Sequence, residues 1–379
     1  MKEYYDVIIV GAGPAGSTAG YLLSKFGFKV LLIDKFNFPR QKLCGGLLTF
    51  KAYRLIARIF NLSENKIKSL VNLSSKNFKV YYKDVLLLSG ESDKPFYFVE
   101  RDKYDSFFVK MAKQHGADII EGESVIDFNP SLNEIITSSQ KRFKAKFIIG
   151  ADGVNSVIRR KLPIFDQQKW KKDLAIAMEI FTNNSNIREP HIYFGFVDIG
   201  YGWIFPNRDK TIIGLGGLMR NKNQNFTNKF RCFLDRLNFE DSNNIKGHLV
   251  PYGNFIKKPI YRNTILIGDA AGFVDPLLGE GIFFAHRSGE IAAWSVYYHL
   301  KEKYDLKTIY LHLLDKYIFP QFKCAKRVRG LFFKNSRLFQ YLPCKLFLTL
   351  FQSKLLEVVH GIKLYNLRRW EECYETIQL

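Results

Sequence analysis

The run Gly11-Ala12-Gly13-Pro14-Ala15-Gly16 follows directly on an apolar segment, residues 5 to 10, and opens a stretch of helical periodicity, PAGSTAGYLLSKF, over residues 14 to 26. This order constrains the fold tightly. The first glycine makes a sharp turn, the second lets backbone approach a pyrophosphate, and the third lets a helix pack closely on a strand. KVLLI, residues 29 to 33, supplies a second strand, and Asp34 closes it eighteen residues after Gly16, where a carboxylate can accept a ribose hydroxyl. The segment reads as a βαβ unit and predicts a parallel sheet. The fingerprint alone does not separate FAD from NAD, and its bland alternative is a glycine-rich turn.

With 379 residues, 47% of them hydrophobic, the chain can bury a core and has the length for two or three domains, or one elaborated one. Lys and Arg number 57 against 36 Asp and Glu, and the net charge of +21 biases the surface toward nucleic acid, anionic lipid or a phosphorylated substrate. No zinc finger, RRM-type or other reader of nucleic acid is recognisable, so no nucleic-acid partner is expected. Five cysteines, an odd number without a CxxC pair, argue against a disulfide framework and for a reducing compartment. The seven histidines show no metal-ligand spacing, and no metal is expected. Val7 to Val10 is too short for a signal-peptide core, and no uninterrupted apolar stretch reaches about 18 residues. A cytoplasmic protein is expected, with attachment to the inner membrane face left open.

Residues 77 to 99 are aromatic and β-branched, with turn residues between (FKVYYKDVLLLSG, PFYFV), as in an antiparallel insertion. Asp102 to His115 reads as a helix, Asp118 to Glu121 as a strand, and Phe143 to Gly150 as a buried strand that returns the chain to the first sheet. Strand-like segments fill 174 to 218, with a helix at 225 to 237. Thr264 to Ile267 is one more buried strand, and residues 281 to 300 read as a long helix. The expected organisation is α/β: a Rossmann-like nucleotide-binding domain in three parts (1–76, 101–165 and 256–300), an antiparallel domain inserted as 77–100 and 166–255, and a helical, basic region over 301–379. In that last region Gln321 to Trp370 carries eleven Lys or Arg against one acid, Glu357, with Phe332, Phe333, Phe339, Phe347, Phe351 and Trp370 interleaved. The bland reading is helices packed on the body with solvated lysines outside. The sharper one is a surface for anionic lipid.

Two more strand ends carry Gly/Asp turns: Gly150-Ala151-Asp152-Gly153, followed by Ser156 and Arg159, and Gly268-Asp269-Ala270-Ala271-Gly272, followed by Asp275-Pro276 and Gly279-Glu280-Gly281. A carboxylate at such a strand end, as Asp269 would be, can bind a polyol hydroxyl, while glycines keep side chains clear of a flat ring. Either turn alone also reads as an Asp-capped helix start. Taken in order, GxGxxG, GADGxxSxxR and GDAAG resemble the flavoproteins of the para-hydroxybenzoate hydroxylase fold. The resemblance implies tightly held FAD, with Gly11, Gly13, Pro14, Ala15, Gly16, Asp34 and Lys35 on its ADP half, Asp152 and Gly268 beside it, and Asp269 on its ribityl chain. It also implies Arg101, in VERDKYD, near the cofactor. Pro276, Gly279, Gly281 and Ile282 then bring a helix N-terminus to the pyrimidine end, where positive partial charge favours anionic reduced flavin.

PRQKLCGG, residues 39 to 46, and Tyr201-Gly202-Trp203-Ile204-Phe205-Pro206 narrow the resemblance to the geranylgeranyl reductase family, whose pattern has a proline where Asp198 stands here. The family implies reduction of isoprenoid double bonds with electrons from NADPH, NADH or a reduced protein donor. There is no second GxGxxG for a nicotinamide domain. Cys44, Tyr201 and Trp203 are the catalytic candidates, Cys44 or Tyr201 as proton source. Cys44 and Gly45 are set beside the ring, and Gly46, Tyr201, Trp203, Phe205 and Pro206 around an isoprenoid chain. YGWIFP also reads as an ordinary half-buried strand, and Cys44 as a small buried hydrophobe. A reductase of a quinone's prenyl side chain is the same chemistry on a different head group; the rival functions are a flavin monooxygenase or halogenase and a non-catalytic flavin-containing lipid-binding protein.

Overall fold

The computed structural model describes residues 4–183, 186–208, 210–218, 225–239, 244–338, 342–370 and 373–377, with backbone alone over most of 334–347. In chain order the elements are β1 (Tyr4–Val10), α1 (Pro14–Lys25), β2 (Val30–Ile33), β3 (Leu47–Leu48), α2 (Phe50–Ile59), α3 (Glu64–Lys68), β4 (Leu73–Tyr82), β5 (Val85–Phe98) and α4 (Arg101–Gln114). There follow β6 (Asp118–Ile120), β7 (Val125–Asn129), β8 (Glu134–Thr137), β9 (Arg142–Gly150), α5 (Val157–Arg160), α6 (Gln167–Lys172), β10 (Leu174–Asn183), β11 (His191–Phe194), β12 (Gly200–Pro206), β13 (Lys210–Leu218) and α7 (Phe226–Arg236). The last are β14 (Lys246–Pro251), β15 (Ile260–Tyr261), β16 (Thr264–Leu266), α8 (Gly268–Ala271), α9 (Ile282–Glu302), α10 (Leu306–Tyr317), α11 (Phe319–Leu338) and α12 (Leu342–Val359).

The first sheet runs β15-β16-β9-β1-β2-β6, and its neighbours from β16 to β6 are parallel. Val7, Ile8 and Ile9 are fully buried, as a central parallel strand covered on both faces requires. The covering helices approach closely because glycines stand at the contacts. A Cβ on Gly20 would come within 2.5 Å of Leu32, and one on Gly289 of α9 within 2.4 Å of the Ala15 carbonyl oxygen. A buried tie adds to this: the Thr18 hydroxyl of α1 and the Tyr104 hydroxyl of α4 bond the two ring nitrogens of His286 in α9, at 2.7 and 2.8 Å.

The second sheet runs β14-β10-β13-β12-β11-β4-β5-β3. It is antiparallel except between β11 and β4, where a long excursion brings two strands in side by side in the same direction. The α/β fold expected from the sequence is thus observed, and several boundaries differ. The second sheet begins at Leu73, before residue 77, and takes in Leu47–Leu48 from the glycine-rich loop. The hairpin β7–β8 and the strand β14 fall in stretches whose weak alternation gave no signal. Met219 and Phe339 lie outside the described residues, as do the side chains of Phe347 and Cys344.

The basic region folds as α10 to α12. Phe319, Phe322, Ala325 and Phe333 of α11 are buried, and Pro320 is tolerated in its first turn, where no intrahelical N–H is needed. Arg329 of the same helix is also buried, donating to the backbone carbonyl of Tyr252 and ion-pairing Asp173 at 3.2 Å.

Candidate active site

A cavity of about 820 Å³ reaches from the strand ends of the first sheet across the second sheet to α11 and α12. That volume lies toward the upper end of ligand sites, about 300–1,000 Å³. One arm is polar. Gly11, with φ of +98°, turns the chain there, and a Cβ on it would meet the Ala151 carbonyl oxygen at 2.4 Å. Gly16 is not at the cavity surface; it packs against Gly11, where a Cβ would overlap the carbonyl oxygen at 1.8 Å. Gly13, by contrast, faces the cavity, and a Cβ there would fill the cradle over the first turn of α1. α1 has Pro14 at its start and no side-chain cap, so its first N–H groups remain free for an anion. Ala15 and Lys35 line the same arm.

Asp34 Oδ2 accepts from the Ala12 N–H at 2.8 Å and Oδ1 from Phe36 N–H at 3.0 Å. These bonds fix the carboxylate at the cavity wall, and each oxygen keeps a lone pair for a ribose hydroxyl. Asp152 Oδ2 accepts from Val157 N–H at 2.6 Å and Ile158 N–H at 3.2 Å in the first turn of α5, whose N-cap is Ser156, while its Oδ1 is buried without a well-formed hydrogen bond. Burial pushes both Asp152 and Asp269 up from the usual carboxylate range. Asp269 and Gly268 line the cavity at the start of α8. A buried carboxylate oxygen without a well-formed hydrogen bond, an uncapped helix and a glycine cradle together fit a dinucleotide.

At the inner end of this arm the cavity meets Arg101, Cys44, Gly45, Gly46, Gly279 and Glu280. Arg101 clasps Asp105 through two bonds of 2.9 Å and also bonds the Cys44 side chain. Cys44 Sγ accepts from Gly46 N–H at 3.4 Å. Gly46 holds a φ of +70° with its Cα against the Val99 carbonyl, and Gly45 lies flat on Phe205, leaving no room at either position for a side chain. Gly281 and Ile282, also lining the cavity, open the 21-residue α9 with no side-chain cap. The preceding loop is pinned from below: Lys51, fully buried, ion-pairs Glu280 at 2.7 Å, and the Thr49 hydroxyl donates to the same carboxylate at 2.5 Å.

Tyr201, Trp203 and Phe205 alternate along β12 and all face the cavity. Tyr201 donates its hydroxyl hydrogen to the Leu278 carbonyl, and burial pushes the phenol well above its ordinary value. Trp203 is seated in a trough made by Gly214 and Gly216 of β13, which a Cβ at either position would obstruct. Pro206 corrects the sequence reading: strand alternation turns it to the opposite face with Ile204, and it does not line the cavity. Pro276 does not line it either; its neighbour Asp275 turns inward, bonding Leu277 N–H, Leu278 N–H and the Tyr365 hydroxyl.

The second arm is apolar. Phe78, Val80 and Phe96 form one wall, Ile192 and Phe194 continue it, and Phe332, Leu348, Leu355 and Leu356 close it from α11 and α12.

A family model described as FAD binding domain matches residues 4–197. A protein of Methanosarcina barkeri named only as uncharacterized is 35% identical over 77% of this chain and 74% of its own. The digeranylgeranylglycerophospholipid reductase of Methanococcus vannielii is 31% identical over 77% of this chain and 76% of its own. The chain belongs to the geranylgeranyl reductase family of FAD-dependent oxidoreductases. The crystal structure of a geranylgeranyl bacteriochlorophyll reductase-like protein from Thermoplasma acidophilum shares the family fold, with a TM-score of 0.78 and 21% identity over 99% of this chain and 95% of that one.

Two groups of residues in this family member escaped the sequence reading. The roof of the apolar arm, Leu348, Gln352, Leu355, Leu356 and Val359, belongs to a helix whose basic residues drew attention to its outer face. Glu179, with Lys42 and His248, lines the junction of the arms. LAIAMEIF reads as a buried strand, and the one acid in it was the available signal. Among the described residues no group of three or more His, Cys, Asp or Glu is placed to hold a metal, and no helix is long and apolar enough to cross a membrane.

Proposed function

We propose that the protein hydrogenates carbon–carbon double bonds of geranylgeranyl-type chains borne by a prenyl diphosphate, a prenyl lipid or a prenylated quinone. The observation that carries this reading is the continuity of the cavity, whose polar dinucleotide arm opens directly into a long arm walled by Phe, Leu, Ile and Val. Such an arm holds an isoprenoid chain by burial of its methylenes and methyls, at about 0.8 kcal/mol per CH₂. When bound and reduced, FAD supplies hydride to the chain. The protein's own residues then have four tasks. Gly45 and Gly46 admit the chain close to the ring. Trp203 and Phe205 align it. Tyr201, anchored on Leu278, fixes the loop at the head of α9, and the apolar wall excludes water. Cys44 lines the cavity beside Gly45 and Gly46, at the junction of the arms.

Reduced nicotinamide (NADPH or NADH) or a reduced protein donor is the electron source in this reading, docking transiently because the family's single nucleotide fold is occupied by FAD. The exposed Leu331, Leu350 and Phe351 stand among the lysines of α11 and α12, the helices that roof the apolar arm, and suit a peripheral site at an anionic inner membrane face. A lipid substrate then enters from the bilayer with its head group outside.

The test is anaerobic incubation of chemically reduced holoenzyme with prenyl diphosphates, prenylated phospholipids and prenylated quinones, followed by mass spectrometry. Products gaining pairs of hydrogens support the reading. Products bearing oxygen or halogen, formed only in air, overturn it in favour of a monooxygenase or halogenase. Flavin that is reduced by donors yet never passes electrons to any prenyl chain overturns it in favour of a lipid-binding protein.

A further inference from the structure

Glu179 sits near the middle of β10, opposite Gly214 of β13 and Lys246 of β14, and lines the cavity where its two arms join. A packed sheet centre favours an aliphatic side chain at such a position, because a buried carboxyl without partners is costly. Glu179 is only 2% exposed, and its Oε2 makes no well-formed hydrogen bond, its nearest polar neighbours being the Trp203 indole N–H and the Cys44 backbone. Its surroundings do not supply an ion pair. Arg101 is committed to Asp105, Arg40 lies 3.3 Å from that same carboxylate, and Lys42 donates to His248 Nε2 at 2.7 Å. Asp269 and Cys44 also line the cavity, and Lys246, opposite Glu179 on β14, donates to Gln41 Oε1 at 3.0 Å. The strand thus places a buried acid without an ion pair on the cavity wall where the two arms join.

We propose that Glu179, protonated and facing the junction of the arms, donates the proton that completes alkene reduction. This rests on the function proposed above. One alkene carbon gains hydride from the reduced flavin, and the other takes the Glu179 carboxyl proton. Two C–H bonds form as the alkene π bond, an N–H bond of the reduced flavin and the carboxyl O–H bond are lost, the hydride's electron pair coming from the flavin. The carboxylate that remains is stabilised by the Lys42 ammonium and recovers its proton from water. Burial raises the carboxyl to about 7, opposed by Trp203, the Cys44 backbone, Lys42 and Arg101, so the acid is protonated near neutrality. Glu179 suits this task better than its neighbours. Tyr201 directs its proton at the Leu278 carbonyl, and Cys44 is held by the Gly46 N–H and Arg101.

The test uses purified holoenzyme, wild type and E179Q, with E179D, C44A and Y201F beside them, all matched for flavin content. Reduced enzyme is mixed anaerobically with geranylgeranyl diphosphate, and the return of oxidised-flavin absorbance is followed across pH. The wild-type rate is expected to fall as pH rises past about 7. E179Q is expected to lose about a hundredfold or more, the usual worth of a general acid, together with that inflection; E179D regains part of both. C44A and Y201F keep the inflection whatever their rates. Infrared difference spectra without substrate give a second readout: a protonated-carboxyl band that titrates near 7 in the wild type and is missing from E179Q. An E179Q enzyme with wild-type rate and pH profile overturns the assignment of Glu179 alone. A wild-type enzyme inert toward every prenyl alkene overturns the proposed function itself.

Discussion

At the scale of single residues, the site depends on charges kept inside the protein at some cost. Glu179 contributes a pH-dependent term to stability. Between the ordinary carboxylate value of 4.5 and its raised value of about 7, the folded state holds a proton that the unfolded chain has lost. Stability from this group is therefore fully present below pH 4.5 and is lost as pH rises to 7, a loss on the order of 3 kcal/mol at 1.36 kcal/mol per pH unit. Urea unfolding of wild-type and E179Q holoprotein is expected to show the variant gaining relative stability by that order between pH 5 and pH 8. The Lys51–Glu280 pair, with Lys51 0% and Glu280 11% exposed in its side chain, is a different case. Lys51→Met leaves Glu280 uncompensated and is expected to cost about 3–5 kcal/mol, with most of the loss recovered in a K51M/E280Q double variant, read by thermal unfolding.

At the scale of elements, β13 and α12 shape the pocket without being prominent in the sequence. Gly214 and Gly216 of TIIGLGGL stand where the Trp203 ring lies across the neighbouring strand. Gly214→Val puts a side chain into that ring and is expected to destabilise the protein by about 1–3 kcal/mol and to weaken FAD-independent binding of a prenyl chain, measured by Trp fluorescence. α12 sets the bore of the apolar arm. Leu356→Trp is expected to lower kcat/KM for a twenty-carbon chain by about tenfold while sparing shorter chains, as judged by competition between chain lengths. The sequence made β1, α1, β2, β9, β12 and α9 legible, because parallel strands and nucleotide turns carry dense local signals. It did not reveal the roof, since lining a cavity from a distant part of the chain leaves no periodic mark, nor Glu179, whose place on the cavity wall shows only once β10 lies between β13 and β14. Pro206 misled for a local reason: a motif names consecutive residues, whereas a strand shows only every second one to a given face.

At the scale of the whole molecule, the net charge of +21 and the apolar residues exposed on α11 and α12 lead to one measurement. Cosedimentation with vesicles containing phosphatidylserine is expected to exceed that with neutral vesicles and to decline as salt shortens the Debye length from about 10 Å at 0.1 M to about 3 Å at 1 M. Equal binding to both vesicle types at all salt concentrations would remove the membrane from the proposal.

The order of strands in the two sheets has a consequence for the protein's biogenesis. β1 and β2 belong to the first sheet, β3 to β5 to the second, β6 to β9 to the first, β10 to β14 to the second, and β15 and β16 to the first again. A ribosome that has released the GxGxxG turn has therefore made one strand of the first sheet and none of the second, and β9 waits for β16, more than a hundred residues later, to cover its open side. Neither sheet can finish folding on an early fragment, so contacts distant in sequence must form late and together. The nascent chain meanwhile exposes unpaired parallel strands. Flavin loading then belongs to the end of translation, when one molecule of cofactor can bridge pieces made at its beginning, middle and close.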